Sequence, residues 1–87
     1  MAKLVYKFKV EAKGGRLSQA ARLWESGSAD ISEAVYEAAV IAESRMGTLG
    51  ATEEEISRAW ESLQECMVAE WHKGKKSVVA SVWAEEA

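Results

Sequence analysis

Residues 3–12, KLVYKFKVEA, alternate between apolar and charged side chains, with Val5 as the exception. Successive side chains of a strand point to opposite faces, so a period of two predicts a β-strand. Gly14 and Gly15 follow and indicate a turn. The predicted core face holds Leu4, Tyr6, Phe8 and Val10, and the outer face holds Lys3, Val5, Lys7, Lys9 and Glu11.

The end of the chain, SVVASVWAE at residues 77–85, alternates in the same way and predicts a second strand. Its small residues can lie against helices, whereas its tryptophan falls on the opposite face. The first set is Val78, Ala80, Val82 and Ala84, and the second is Val79, Ser81 and Trp83.

Between these strands, apolar residues recur every three or four positions, which predicts helices. We expect three of them: from residue 16 or 17 to 26, from Asp30 to Gly47, and from Thr52 to Lys73. Asp30 with Glu33, and Thr52 with Glu55, have the spacing of a capping box, which favours a helix start at each place.

The expected fold is therefore α+β, a single domain over residues 1–87 with the order β-α-α-α-β. The terminal strands pair into a small sheet that the helices cover on one face. Strand orientation stays open, because three helices that each reverse direction make the strands parallel, whereas a continuous first helical pair makes them antiparallel.

Two pentapeptides, RLWES at residues 22–26 and RAWES at residues 58–62, are nearly identical. Their flanking residues differ, and tandem helical repeats need about three copies to bury a continuous core. We interpret the likeness as convergence, with an arginine and a glutamate bracketing a tryptophan on a helix.

Charge is unevenly distributed along the chain. Residues 1–23 carry a net charge of +5, residues 24–72 carry −9, and residues 73–87 carry +1. The acidic middle disfavours binding to nucleic acid there, whereas the basic ends leave it open.

Few residues could carry catalysis. The chain has one histidine, one aspartate and one cysteine: His72 is expected in the last turn of a helix, Asp30 caps a helix, and Cys66 has no activating neighbour. A nucleophilic triad or a zinc site needs more such groups than one chain offers. We therefore predict no catalytic, cofactor-binding or metal-binding residue and no enzyme activity; a site formed between two subunits stays open.

Paired carboxylates occur at helical spacing, in Glu33 with Glu37 and in Glu61 with Glu65. Such pairs can serve acid–base chemistry when they are buried together. Here they fall away from the apolar stripes, which indicates solvated helix surfaces.

Two surface features point to binding. An aromatic residue among lysines on the outer sheet face is typical of an interaction surface. Tyr36 and Val40 lie one turn apart, on the side of the second helix away from its alanines, unless another element covers them. The predicted partner-binding residues are Val5, Lys7, Lys9, Val79 and Trp83 on the sheet, and Tyr36 and Val40 on the helix.

These features predict a non-enzymatic protein-binding module. Its size and single cysteine are typical of cytosolic phage or mobile-element accessory proteins, such as anti-CRISPR inhibitors, although no residue signature of a family is present. No apolar run is long enough for a membrane span. Two strands alone leave both sheet edges open, which favours a homodimer through strand pairing. The alternative is a nucleic-acid-binding protein that stacks bases on Trp83.

Overall fold

The computed structural model describes residues 4–14 and 22–86, with the backbone alone over 22–26. Within these residues the four strands form one antiparallel sheet in the order β2-β1-β4-β3. The elements are β1 (Leu4–Lys13), β2 (Arg22–Ser28), α1 (Ile31–Thr48), α2 (Glu53–Cys66), β3 (Val68–Lys73) and β4 (Lys76–Glu86).

The two longest strands, β1 and β4, lie side by side in the centre of the sheet. Leu4 pairs with Glu86 at one end and Lys13 pairs with Ser77 at the other. The α+β class and the pairing of the terminal strands are therefore confirmed, and the orientation left open by the sequence is antiparallel.

The two faces of this central pair differ as their alternating residues predict, except that Leu4 and Ala84, expected against the helices, are exposed near the sheet end. Phe8 and Val10 on β1, and Val78, Ala80 and Val82 on β4, are buried in one core with the helices. The intervening residues are only partly covered, because no described helix packs on their face. The sheet therefore has one helix-covered face and one open face.

Strand β2 replaces part of the first predicted helix. Its backbone over Arg22–Ser28 is extended and pairs with β1, with Lys7 opposite Gly27 and Lys9 opposite Glu25. Short apolar segments suit either structure locally, so pairing to a neighbouring strand decides the outcome. The first part of that helix, with residues 16–21, lies outside the described residues.

Strand β3 replaces the end of the third predicted helix. That helix stops at Cys66, Met67 takes a left-handed conformation with φ 62°, and Val68–Lys73 pairs with β4. Ala69 and Trp71 are buried while Glu70 and His72 are exposed, which is the alternation of a strand. Gly74, with φ 62°, then begins a two-residue turn, where type II′ turns place glycine. His72 is consequently a strand residue and not a helix-terminal one.

Local chemistry explains where the two helices begin. The Asp30 side chain accepts a hydrogen bond from the backbone N–H of Ser32, so it caps α1 as predicted, although Glu33 forms no described part of that cap. Thr52 and Glu55 form the predicted capping box at the start of α2. Between the helices, Gly50 has φ 93° and helps to reverse the chain.

The sheet edges differ from those on which the homodimer prediction depended. Strands β2 and β3 pair along the outer sides of β1 and β4, so the edges expected to be open are paired within one chain. Strands β2 and β3 are themselves edge strands, and a homodimer through them stays a prediction.

Candidate protein-binding site

The open sheet face brings the five predicted sheet residues together. Lys7 lies directly opposite Trp83, with Val5 and Lys9 on either side of it along β1. Val79 lies further along the same face, opposite Glu11. All of them except Lys7 are half-buried by their neighbours in the sheet. Alternation alone was enough to place these residues on one surface.

Glu85 changes the electrostatics of this surface. Its Oε2 lies 2.9 Å from Lys7 Nζ, and its Oε1 accepts a 2.9 Å hydrogen bond from the Trp83 indole N–H. The hydrogen bond from Trp83, followed by the one from Lys7, lowers the pKa of the Glu85 carboxyl below its ordinary value. The lysine fringe is therefore partly neutralised, and the indole donor is already engaged.

Two lysines of the β3–β4 hairpin lie away from the open face. Lys76 donates to the backbone carbonyl of Leu49 at 3.4 Å, and Lys73 donates to that of Gly50 at 3.2 Å. Both ammonium groups thus meet the carboxyl end of α1, where the helix dipole favours positive charge. Lys76 therefore does not contribute to the open face, and Lys3, predicted on that face, lies outside the described residues.

The helical side of the molecule offers a second surface. Tyr36 is 60% exposed and Val40 is 39% exposed, so no described element covers them. The ring of Tyr36 meets that of Trp60 edge to face, with centroids 5.7 Å apart and an interplanar angle of 65°. The pair joins α1 to α2 at the protein surface.

A concave site of about 480 Å³ lies beside this aromatic pair, between the helices. We call it the helical groove. Val40, one turn from Tyr36 on α1, does not line it. The helical groove is lined by Ile31, Ser32, Val35, Tyr36, Trp60, Gln64, Glu65 and Met67.

On its other side, Trp60 borders a second depression, which we call the acidic groove. This depression is lined by Glu43, Glu53, Ile56, Ser57, Trp60 and Glu61. Trp60 therefore stands between two concave sites along the outer side of α2.

The helical layer is strongly acidic. Residues 30–66 contain nine Asp and Glu against two arginines, a net charge of −7. One of these arginines, Arg58, is already paired with Glu54 at 3.1 Å. None of the residues that line either groove is basic. The grooves thus combine exposed aromatic surface with carboxylates.

Titratable groups elsewhere show no catalytic arrangement within the described residues. His72 Nε2 lies 3.8 Å from a carboxylate oxygen of Glu70, and both side chains are exposed. Cys66 is exposed at the end of α2. In residues 4–14 and 22–86, no three histidine, cysteine or acidic side chains are grouped to hold a metal ion.

Trp60 is the site residue that the sequence did not reveal. Its spacing from Ile56 and Leu63 is typical of a buried helical stripe, but the side chain is only half-buried. The sequence did indicate one half of this aromatic pair, because it placed Tyr36 on the side of its helix away from the alanines. It did not indicate the neighbour that the Tyr36 ring contacts on the adjacent helix. That neighbour is 24 positions further along the chain, and local periodicity does not identify it.

Comparison with known proteins gives no assignment. No protein-family model, curated protein or solved structure matches this chain. In the described part of the chain, neither helix is both long and apolar enough to cross a membrane. Function is therefore inferred from geometry and charge.

Proposed function

We propose that this protein is a non-enzymatic binding module that acts by occupying the surface of a protein partner. The observation that supports the proposal is the exposed Tyr36, held edge to face against Trp60 beside a concave site. Aromatic side chains next to pockets are typical of the few residues that contribute most of the energy of an interface.

The charge of the helical layer suggests the kind of partner. A net charge of −7 over residues 30–66 complements a basic surface, and basic surfaces commonly serve to bind nucleic acid. A module bound there excludes nucleic acid from the partner. This is the action of an inhibitor of the anti-CRISPR kind, encoded by a phage or mobile element. The proposal places the protein in the cytosol, where the free thiol of Cys66 stays reduced.

The alternative function is nucleic-acid binding through the open sheet face. The position of Trp83 directly across from Lys7 favours it, because bases stack on aromatic rings while lysines hold phosphates. Against it, the carboxylate of Glu85 contacts both of these side chains and repels phosphate.

The test is affinity capture from the native host with three forms of the tagged protein: wild type, Tyr36→Ala and Trp83→Ser. The two variants each remove one aromatic side chain, from opposite faces of the molecule. We expect wild type and Trp83→Ser to retain the same protein and Tyr36→Ala to lose it. That protein is then purified, and its direct binding to each form is measured.

Other results would contradict the proposal. Binding that depends on Trp83 but not on Tyr36 would make the sheet the working surface. Retention of nucleic acid that is lost between about 50 and about 200 mM salt, and on changing Lys7 and Lys9 to glutamate, would establish the alternative.

A further inference from the structure

The helical groove has the chemistry of a receptor for one particular side chain. We propose that it binds an arginine carried on an α-helix of the protein partner. This inference depends on the proposed function and adds the identity of the group that is recognised.

The aromatic wall provides the first element of recognition. Tyr36 and Trp60 meet edge to face, so their contact leaves ring surface free for another group. A guanidinium placed over an aromatic face is attracted by the electrons of the ring. Tyr36, at 60% exposure, offers such a face at the rim of the groove.

The polar residues of the groove favour arginine over lysine. Glu65 supplies a carboxylate and Gln64 a side-chain carbonyl, both from the last turns of α2. A guanidinium is planar, carries five N–H donors and stacks on aromatic rings, so it can contact the ring and both acceptors together. The compact ammonium of lysine cannot match this geometry.

The apolar residues suit the rest of such a side chain. Ile31, Val35 and Met67 line the groove and can cover the aliphatic stem of an arginine whose charged end reaches Glu65. A volume of about 480 Å³ leaves room for part of the backbone that carries it.

The position of the two grooves indicates a helical occupant. Both border Trp60 and lie along α2, so an elongated ligand can reach both. A helix presents residues three or four apart on one face, which allows a second basic residue to meet Glu43, Glu53 and Glu61 in the acidic groove.

The experiment uses the indole N–H signals of the ¹⁵N-labelled full chain as reporters. Trp60 reports on the helical groove and Trp83 on the open sheet face, with assignments from Trp→Phe variants. The probe is an alanine-based helical peptide with two arginines four positions apart. Matched peptides carry lysine or uncharged citrulline at the same positions.

We expect the arginine peptide to shift the Trp60 signal to saturation and to leave that of Trp83 in place. It should bind at least about threefold more tightly than the lysine peptide, and the citrulline peptide should not bind. Glu65→Gln should weaken arginine binding roughly fivefold. Glu11→Gln, which removes an equal charge from the open sheet face, should have no effect.

Equal affinity for the arginine and lysine peptides, or a shift of Trp83 instead of Trp60, would overturn the inference. So would equal binding by Glu65→Gln and wild type. The proposed function fails separately: it is wrong if partner binding survives Tyr36→Ala. The proposed function stands if Tyr36→Ala abolishes partner binding while the arginine and lysine peptides bind equally well.

Discussion

At the scale of single residues, Glu55 connects two parts of the fold. One carboxylate oxygen accepts a hydrogen bond from the Thr52 backbone N–H, and the other accepts one from the Trp71 indole N–H. Trp71 is 6% exposed and lies on β3, so the carboxylate fixes the start of α2 against that strand. These two hydrogen bonds, Thr52 first, lower the pKa of Glu55 from its ordinary value of 4.5.

The lowered pKa predicts how stability depends on pH. A carboxyl whose pKa is lower in the folded than in the unfolded state stabilises the fold above pH 4.5, and this contribution disappears as the pH falls through the lowered value. Glu55→Gln should therefore be less stable than wild type at about pH 7, and the difference should shrink towards about pH 3. Urea unfolding across this range measures it.

Glu53→Gln is the matched control, since it removes a charge from the same first turn of α2. Both residues interact favourably with the helix dipole. If the two variants lose equal stability at neutral pH, the dipole explains the effect and the contact with Trp71 contributes nothing.

Tyr36 is predicted to matter for binding and little for stability. Its edge-to-face contact with Trp60 contributes about 0.5–1.5 kcal/mol and most of its surface is exposed, so Tyr36→Ala should lower the free energy of unfolding only modestly. Leu63→Ala empties a fully buried position and should cost about 2–5 kcal/mol. A loss for Tyr36→Ala as large as that for Leu63→Ala, measured by urea unfolding, would show that the ring is part of the core.

Within the secondary-structure elements and their turns, replacing each of two uncrowded glycines by alanine should change the stability, in opposite directions. A Cβ added at Gly47 or at Gly74 would meet no atom within 4 Å. Gly47 is inside α1, where alanine restricts the unfolded chain and should stabilise the protein by about 0.4–1 kcal/mol. Gly74 has φ 62°, and alanine there should destabilise it by about 1–2 kcal/mol.

Thermal unfolding followed by circular dichroism measures both changes. For a domain of this size, a change of 1 kcal/mol in the free energy of unfolding shifts the melting temperature by roughly 4–8 °C. Gly47→Ala should therefore melt above wild type and Gly74→Ala below it. A Gly74→Ala midpoint at or above that of wild type would show that the turn does not need glycine.

The elements that the sequence predicted correctly are those with long, consistent periodicity. Strands β1 and β4 alternate over about ten residues, and α1 and α2 have clear caps and stripes. Strands β2 and β3 are short, at seven and six residues, and their apolar residues fit a helix as well as a strand. Val68 pairs with Ser81 and Lys7 with Gly27, so distant residues decide both strands.

In the whole molecule, the difference between local periodicity and contacts of distant residues also explains which binding residues the sequence identified. The open-face residues follow from alternation along β1 and β4, once these strands pair. The helical groove depends on how α1 lies against α2, which the core beneath them determines through Met46 and Leu63. The acidic charge of the helical layer was visible in the sequence. That these acidic residues lie beside an aromatic groove could be seen only from the folded structure.

The arrangement of the sheet predicts where the molecule opens first. Strands β1 and β4 are paired on both sides, whereas β3 is paired only with β4 and leaves half of its backbone groups facing away. Native-state hydrogen exchange should therefore show the strongest protection in β1 and β4, close to the global free energy of unfolding, and weaker protection in β3.

Strand β3 is also one of the two edges, with β2, where a second copy of the chain would add if the homodimer forms through a sheet edge. Protection of β3 equal to that of β1, rising with protein concentration, would contradict an exposed edge and indicate pairing between two molecules. Substituting proline for Glu70, on the edge strand, distinguishes a monomer with an exposed edge from a dimer paired through that edge. If the protein is a monomer, this substitution should leave the β1 amides protected, although β3 loosens. If it is an edge-paired dimer, the substitution should abolish the dependence of β3 protection on protein concentration.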